Sequence, residues 1–293
     1  MATSRHRLLL GVVWLVFSGF TASAQAAVED RPPFFQLDYQ GQTAYLLGSI
    51  HVGQANFYPM APLIESKFES AGSLVVEADA ASADIMALIR KYGLNKLPID
   101  VETKTVLDAY CKQRASVCAT LSGFAPWLQS MQLGMNRFEE LGYSAEYGVD
   151  QRFIASNQGR PLLELESTEF QFRLLSSFDE KSQWAMVREA IESPDEDMRG
   201  LVTAWRTGDA AHIAELMEGQ MSDEEDLLML DKLLWQRNID MAARIRELML
   251  EPGIQQPLFI IIGAGHLVGA RSIPMEMTQH GAKVTSCWQL ECD

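Results

Sequence analysis

The stretch Leu258-Phe259-Ile260-Ile261-Ile262-Gly263-Ala264-Gly265-His266 decides how this chain is read. Its first five residues are uninterruptedly apolar and three of them are isoleucine. A run of that kind suits a central strand of a parallel sheet, buried on both faces and covered by helices. The Gly-Ala-Gly-His that follows sets an imidazole just past the carboxyl end of the strand. Open α/β sheets hold their ligands at that edge.

The far end of the chain repeats the arrangement. A strand-like stretch at 43–47 leads into Gly48-Ser49-Ile50-His51, and both histidines are followed within a few positions by a glycine, Gly53 or Gly269. The chain has only five histidines, so two in matching strand–Gly-x-x-His frames are the first candidates for chemistry.

Working outward, runs at 35–39 and 43–50 around Gln40-Gly41-Gln42 read as a β-hairpin. A helix near 63–71 precedes a short buried strand at 73–78 that ends in the acids Glu77 and Asp79. Apolar residues at three-to-four spacing then predict helices at 83–92, 103–114, 126–141 and 148–157. One strand, at 161–166, interrupts them. Further helices are expected at 179–191, 195–206, 210–218 and 223–250, then the strand at 258–262, a helix at 274–280 and a last strand at 283–290. The expected fold is α/β (α+β), a mixed β-sheet core built from residues 33–80 and 257–291. A mainly helical section, 81–252, is inserted between them. Residues 27–293 read as a single domain.

Residues 1–26 read as an address. Arg5 and Arg7 form a basic start, 8–20 an apolar run and Ala24-Gln25-Ala26 a small-x-small cleavage site, the pattern of a secretory signal peptide. Its removal takes away two arginines and no acid, moving the net charge from −15 to −17. An exported, periplasmic protein without a stable membrane anchor after cleavage is expected. So acidic a chain repels nucleic acid and anionic membrane surfaces. Oligomeric state is not legible here. The four cysteines, Cys111, Cys118, Cys287 and Cys292, suit disulfides in an oxidising compartment. Their clustering favours the local pairs Cys111–Cys118 and Cys287–Cys292, with a long-range connectivity as the alternative.

His51, Glu77 and His266 each fall at the end of an expected core strand, so a shared sheet edge brings them within reach of one ligand. Two imidazoles and a carboxylate suit a divalent transition metal that also binds water, which is hydrolytic chemistry. Gly48, Gly263 and Gly265 are expected to shape the backbone there, by sharp turning and close approach. The metal-free alternative uses His51 as a general base oriented by Glu77, an esterase-like mechanism. There is no Gly-x-Ser-x-Gly and no His-Glu-x-x-His, so neither a serine hydrolase nor a common zincin is indicated. Asp79, sharing a strand face with Glu77, and Glu166, ending the middle strand, are further candidates. Gln171 lies one turn into the next helix. Arg237 and Asn238 fall in a long helix, where Arg237 is either a buried partner of Asp150 or Glu166 or a clamp for a substrate carboxylate. Asp150 near a helix start alternatively caps it. His212 and His280 read as structural.

These residues carry a family resemblance. Leu46-Leu47-Gly48-Ser49-Ile50-His51, Val75-Val76-Glu77-Ala78-Asp79 and Tyr147-Gly148-Val149-Asp150 resemble the TraB/PrgY/GumN family in its GumN-like bacterial branch, related to the Tiki metalloproteases of animals. So do the run from Leu165 to Gln171, the pair Arg237-Asn238, and the run from Gly263 to Gly269. The resemblance implies a metal-dependent protease with manganese or cobalt held by His51, Glu77 and His266, acting on a peptide or small-molecule substrate. A non-catalytic protein binding peptides or polymer precursors is the competing expectation.

Overall fold

A computed structural model describes residues 30–218 and 224–292. The expected signal peptide lies outside the described residues. The sheet has six strands: β1 (Phe34–Tyr39), β2 (Gln42–Ser49), β3 (Ser73–Val76), β4 (Leu162–Glu164), β5 (Leu258–Gly263) and β6 (Lys283–Ser286), in spatial order β4-β3-β5-β2-β1-β6. Strands β4, β3, β5 and β2 run parallel, while β1 is antiparallel to both β2 and β6. The sheet is mixed and the fold α/β. The apolar run of β5 sits between β2 and β3, pairing Ala44 with Leu258 and Ser49 with Gly263 on one side and Val76 with Ile261 on the other. Because these strands are parallel, their carboxyl ends lie along one edge.

Residues 258–262 are fully buried, and their alternation feeds two cores. Phe259 and Ile261 join Tyr45, Leu47, Leu74 and Val76 on one face, covered by Ile64 and Phe68 of the helix Pro62–Ser70, by Phe153 and by Trp205. Leu258, Ile260 and Ile262 join Leu46 and Val75 on the other, beneath Met241, Ile245 and Leu248 of the helix Gln236–Leu250. Each fully buried aliphatic side chain contributes about 1.5–3 kcal/mol. The central strand is therefore anchored from both sides.

The helical section has a core of its own: Tyr110, Leu121, Leu133, Trp184 and Val187 pack together between the helices Val101–Cys111, Ala115–Leu121, Pro126–Glu140 and Glu180–Glu192. Disulfides join Cys111 to Cys118 and Cys287 to Cys292, the local connectivity. Among the described residues no helix is long and apolar enough to cross a membrane.

Several elements depart from the sequence pattern. The helix expected at 83–92 is the short helix Ile85–Leu88 followed by a π-helical segment Ile89–Gly93, the strand expected at 73–78 ends at Val76, and the helix Ala115–Leu121 was not expected. The helix expected at 223–250 is the helix Glu224–Leu230, a π-helical segment Asp231–Trp235 and the helix Gln236–Leu250. The strand expected at 283–290 stops at Ser286: the Cys287 amide donates to the Phe34 carbonyl and the Trp288 indole to the Pro32 carbonyl, turning the chain into its disulfide.

Candidate active site

Glu77 immediately follows β3, and both its oxygens are engaged. Oε1 accepts from the Gly263 amide at 2.6 Å and Oε2 from Arg237 Nη2 at 2.9 Å. His266 lies across from it, with Nε2 3.9 Å from Oε1. The register of β3 on β5 makes this meeting possible, since Val76, the residue before Glu77, pairs with Ile261, two residues before Gly263.

Arg237 is the hub beneath these groups. Its Nε donates to Glu166 Oε1 at 2.9 Å, Nη2 to Glu166 Oε2 at 2.9 Å and Nη1 to the Leu233 carbonyl at 2.9 Å. The Leu233 carbonyl belongs to the π-helical segment, an irregularity often found at functional sites. Arg237 is thus the partner of Glu166 and Glu77 rather than of Asp150, with four of its five N–H donors engaged. Gln171 extends the cluster, its amide lying 3.3 Å from Glu166 Oε2 and 3.5 Å from Glu77 Oε2.

Each histidine is tethered through Nδ1. His266, 6% exposed, sits 2.6 Å from Asn238 Oδ1, and Asn238 in turn donates through Nδ2 to the Arg271 carbonyl at 2.7 Å. With the Asn238 nitrogen committed to a carbonyl, its oxygen must accept, so the His266 proton is on Nδ1 and the lone pair on Nε2. His51 Nδ1 lies 3.1 Å from Asp150 Oδ2, while Ser49 Oγ donates to Asp150 Oδ1 at 2.9 Å. Asp150, not Glu77, orients His51, and it does so from a position where a helix cap was the plain alternative. The His51 side chain is 71% exposed, so this contact fixes an orientation more than it stabilises the fold.

The electrostatics follow from these partners. Burial alone raises the Glu77 carboxyl, but His266, Arg237, His51 and the Gly263 amide outweigh it and hold Glu77 down at about 2. Burial pulls His266 down to about 4 against the opposing charge of Glu77, so the ring is neutral at physiological pH. The hydrogen bond and the charge of Asp150 carry His51 up to about 9, so that ring is an imidazolium at neutral pH. His51 also feels the charges of Glu77 and Arg237.

The backbone-shaping glycines act through closeness rather than turning. A Cβ on Gly48 meets Ala264 Cα at 3.2 Å, one on Gly263 meets Glu77 Oε1 at 3.1 Å, and one on Gly265 meets Met217 Cε at 3.1 Å. None of the three adopts a positive φ. Trp205, which sequence reasoning missed, locks the first motif by donating from its buried indole to the Gly48 carbonyl at 2.8 Å; nothing local marks it, since the partners are 157 residues apart. Asp79 is placed away from the cluster. It caps the short turn Ala80–Ser82 through the Ala81 amide, because β3 has already ended at Val76 and strand alternation no longer governs it. His212 lies beside Glu215 on the surface, and His280 beside the Glu276 carbonyl one turn back.

A strand-end site built from two Gly-x-x-His motifs and a buried glutamate defines the class, and comparison with known proteins gives the family: residues 33–286 match the TraB/PrgY/gumN family model, and the chain belongs to that family. It is similar to the protein YbaP of Escherichia coli (strain K12), 26% identical over 252 residues that cover 78% of this chain and 86% of that protein. The YbaP of Shigella flexneri is likewise 26% identical, over 253 residues covering 79% and 86%. Both relatives bear the description "uncharacterized". No solved structure matches the chain.

The donor set would suit a transition-metal ion once His51 loses its Nε2 proton: two imidazoles tethered at Nδ1, so that Nε2 is the nitrogen available to a ligand, beside an ionised carboxylate. As they stand among the described residues, no three histidine, cysteine or acidic side chains converge closely enough to hold an ion. His51, Glu77 and His266 are the residues that would hold one.

Proposed function

We propose that this protein is an exported, metal-dependent hydrolase that acts on peptides, with its site at His51, Glu77 and His266. The matched tethering of the two imidazoles carries the reading. Asp150 takes Nδ1 of one ring and Asn238 takes Nδ1 of the other, which is how metal-ligating histidines are held in their working tautomer. A divalent ion such as manganese or cobalt, when bound, polarises a carbonyl and lowers the pKa of water.

The chain's own residues divide the remaining work. Glu77, held at about 2 with both oxygens engaged, is too weak a base to deprotonate water, so it serves as an anionic ligand. Arg237 and Glu166 fix its position. His51 has to release its Nε2 proton to solvent, keeping the Nδ1 proton in its hydrogen bond to Asp150, before it can serve as a ligand, so binding of the ion strengthens as pH rises. A metal-free esterase mechanism is disfavoured by the same value: with a pKa of about 9, His51 is a base only under alkaline conditions. Export is supported by the leader-like pattern at 1–26 and by the engagement of all four cysteines in disulfides.

The test is turnover. Purified protein with manganese or cobalt should hydrolyse unstructured peptides, and His266→Ala should reduce the rate by at least about a thousandfold, the scale of losing metal chemistry. Hydrolysis that is unchanged by chelation or by that substitution contradicts the mechanism. No hydrolysis with any of several metals, alongside retained peptide binding, replaces the hydrolase with a binding protein.

A further inference from the structure

The helix Pro126–Glu140 carries a glycine at 134, in its middle. Glycine there costs about 1 kcal/mol relative to alanine. Neither crowding nor conformation demands it: a Cβ at Gly134 meets nothing within 4 Å, and its φ is not positive. Gly134 instead lines a cavity of about 240 Å³ between this helix and the helices Glu180–Glu192, Asp195–Thr207 and Ala210–Glu218. Phe138, Leu201 and Met217 are among its walls.

Two walls of this cavity are linked by packing to the surroundings of the two histidine motifs. Phe138 packs edge-on against Tyr143 at 6.1 Å. Ser144, the next residue, pairs by both backbone bonds at 2.9 Å with Gly53, two residues beyond His51. On the other side Met217 packs against Gly265, the residue before His266. The lining also carries the acids Glu189 and Asp197. Among the described residues its one cation, Arg137, is committed to Asp195 at 2.6 Å and to the carbonyls of Ala190 and Ile191.

We infer that this cavity is the specificity pocket of the proposed site, receiving an apolar substrate side chain of leucine size whose neighbouring residue is basic. The inference rests on the peptide-hydrolase reading for its occupant. Its physical basis is separate: an apolar recess whose wall Met217 touches Gly265 and whose wall Phe138 connects through Tyr143 and Ser144 to Gly53, edged by acids in a chain of net charge −15. A leucine side chain fills such a recess, and the acids favour a lysine or arginine beside it.

The test is binding, without turnover. Fluorescein-labelled decapeptides of alanine and serine, carrying Leu-Lys, Ser-Lys or Leu-Glu at their centre, are titrated into full-length protein in EDTA and followed by anisotropy. The Leu-Lys peptide should bind at least about tenfold more tightly than either other, the scale of one buried leucine. Gly134→Phe and Gly134→Leu, which fill the recess, should erase the preference while the thermal midpoint stays equal or rises. Equal binding of the three peptides, no binding of any, or a preference that survives both fillings at an unchanged midpoint overturns the pocket. A preference present in protein that hydrolyses nothing with any metal removes the hydrolase reading and leaves the pocket standing. Hydrolysis with no preference does the reverse.

Discussion

Arg237 carries more of the site than any other single residue. It is 13% exposed and joins Glu77 and Glu166, themselves 12% and 6% exposed. Removing the cation leaves two buried carboxylates facing each other, so Arg237→Met should destabilise the fold by about 3–5 kcal/mol in urea unfolding. Arg237→Lys should rescue only part of this, because an ammonium cannot reproduce the paired contacts of the guanidinium. An unchanged midpoint for Arg237→Met would show that the carboxylates find other partners. His51 gives a second residue-scale prediction. Its folded pKa of about 9 lies above the ordinary 6.5, so its contribution to stability is full below pH 6.5 and fades as pH rises through about 9. Asp150→Asn should bring the ring back toward 6.5 in an NMR titration and flatten that slope. A ring still titrating near 9 would mean that Asp150 is not the cause. The strand-end positions of His51 and His266 were legible because Gly-x-x-His after an apolar run is a local signal, and that of Glu77 because it closes a short apolar run. Their tethers were not. Asp150 lies 99 residues from His51 and Asn238 28 from His266, and no local pattern encodes such pairs.

At the scale of elements, the segment holding Tyr147, Gly148, Val149 and Asp150 is pressed against the chain that follows β2. The Val149 amide donates to the Ile50 carbonyl at 3.0 Å. A Cβ on Gly148 falls 2.6 Å from the His51 carbonyl oxygen, and one on Gly53 falls 2.1 Å from the Tyr147 carbonyl oxygen. Gly148→Ala therefore forces the two segments apart. It should cost about 1–3 kcal/mol by denaturation and free His51 from Asp150, returning its pKa toward 6.5. A fully stable Gly148→Ala with an unshifted His51 would contradict this account of the glycine. The central strand was readable from its apolar run alone, and the parallel sheet edge follows from it. The π-helical segment Asp231–Trp235 was not readable. One extra residue per turn hardly changes apolar spacing, yet it supplies the Leu233 carbonyl that steadies Arg237. The early end of β6 was hidden for a related reason: apolar residues continue past Ser286, but Cys287 and Trp288 spend them on a turn.

For the whole molecule, the decisive fact is that β5 inserts between β2 and β3. Parallel pairing then brings the end of a strand from the last forty residues against strand ends from the first eighty. Neither half can assemble the site alone. The family match over residues 33–286 spans both halves, in keeping with a fold whose site is completed only by its last strands. The claim that His51, Glu77 and His266 form one metal site is tested most directly by equilibrium titration of metal-free protein with cobalt(II), read by calorimetry and by the cobalt absorption bands. The account predicts close to one equivalent bound per chain, tighter at pH 8 than at pH 6, and lost in both His51→Ala and His266→Ala. Cobalt uptake that is absent, or that is the same in wild type and in both variants, contradicts it.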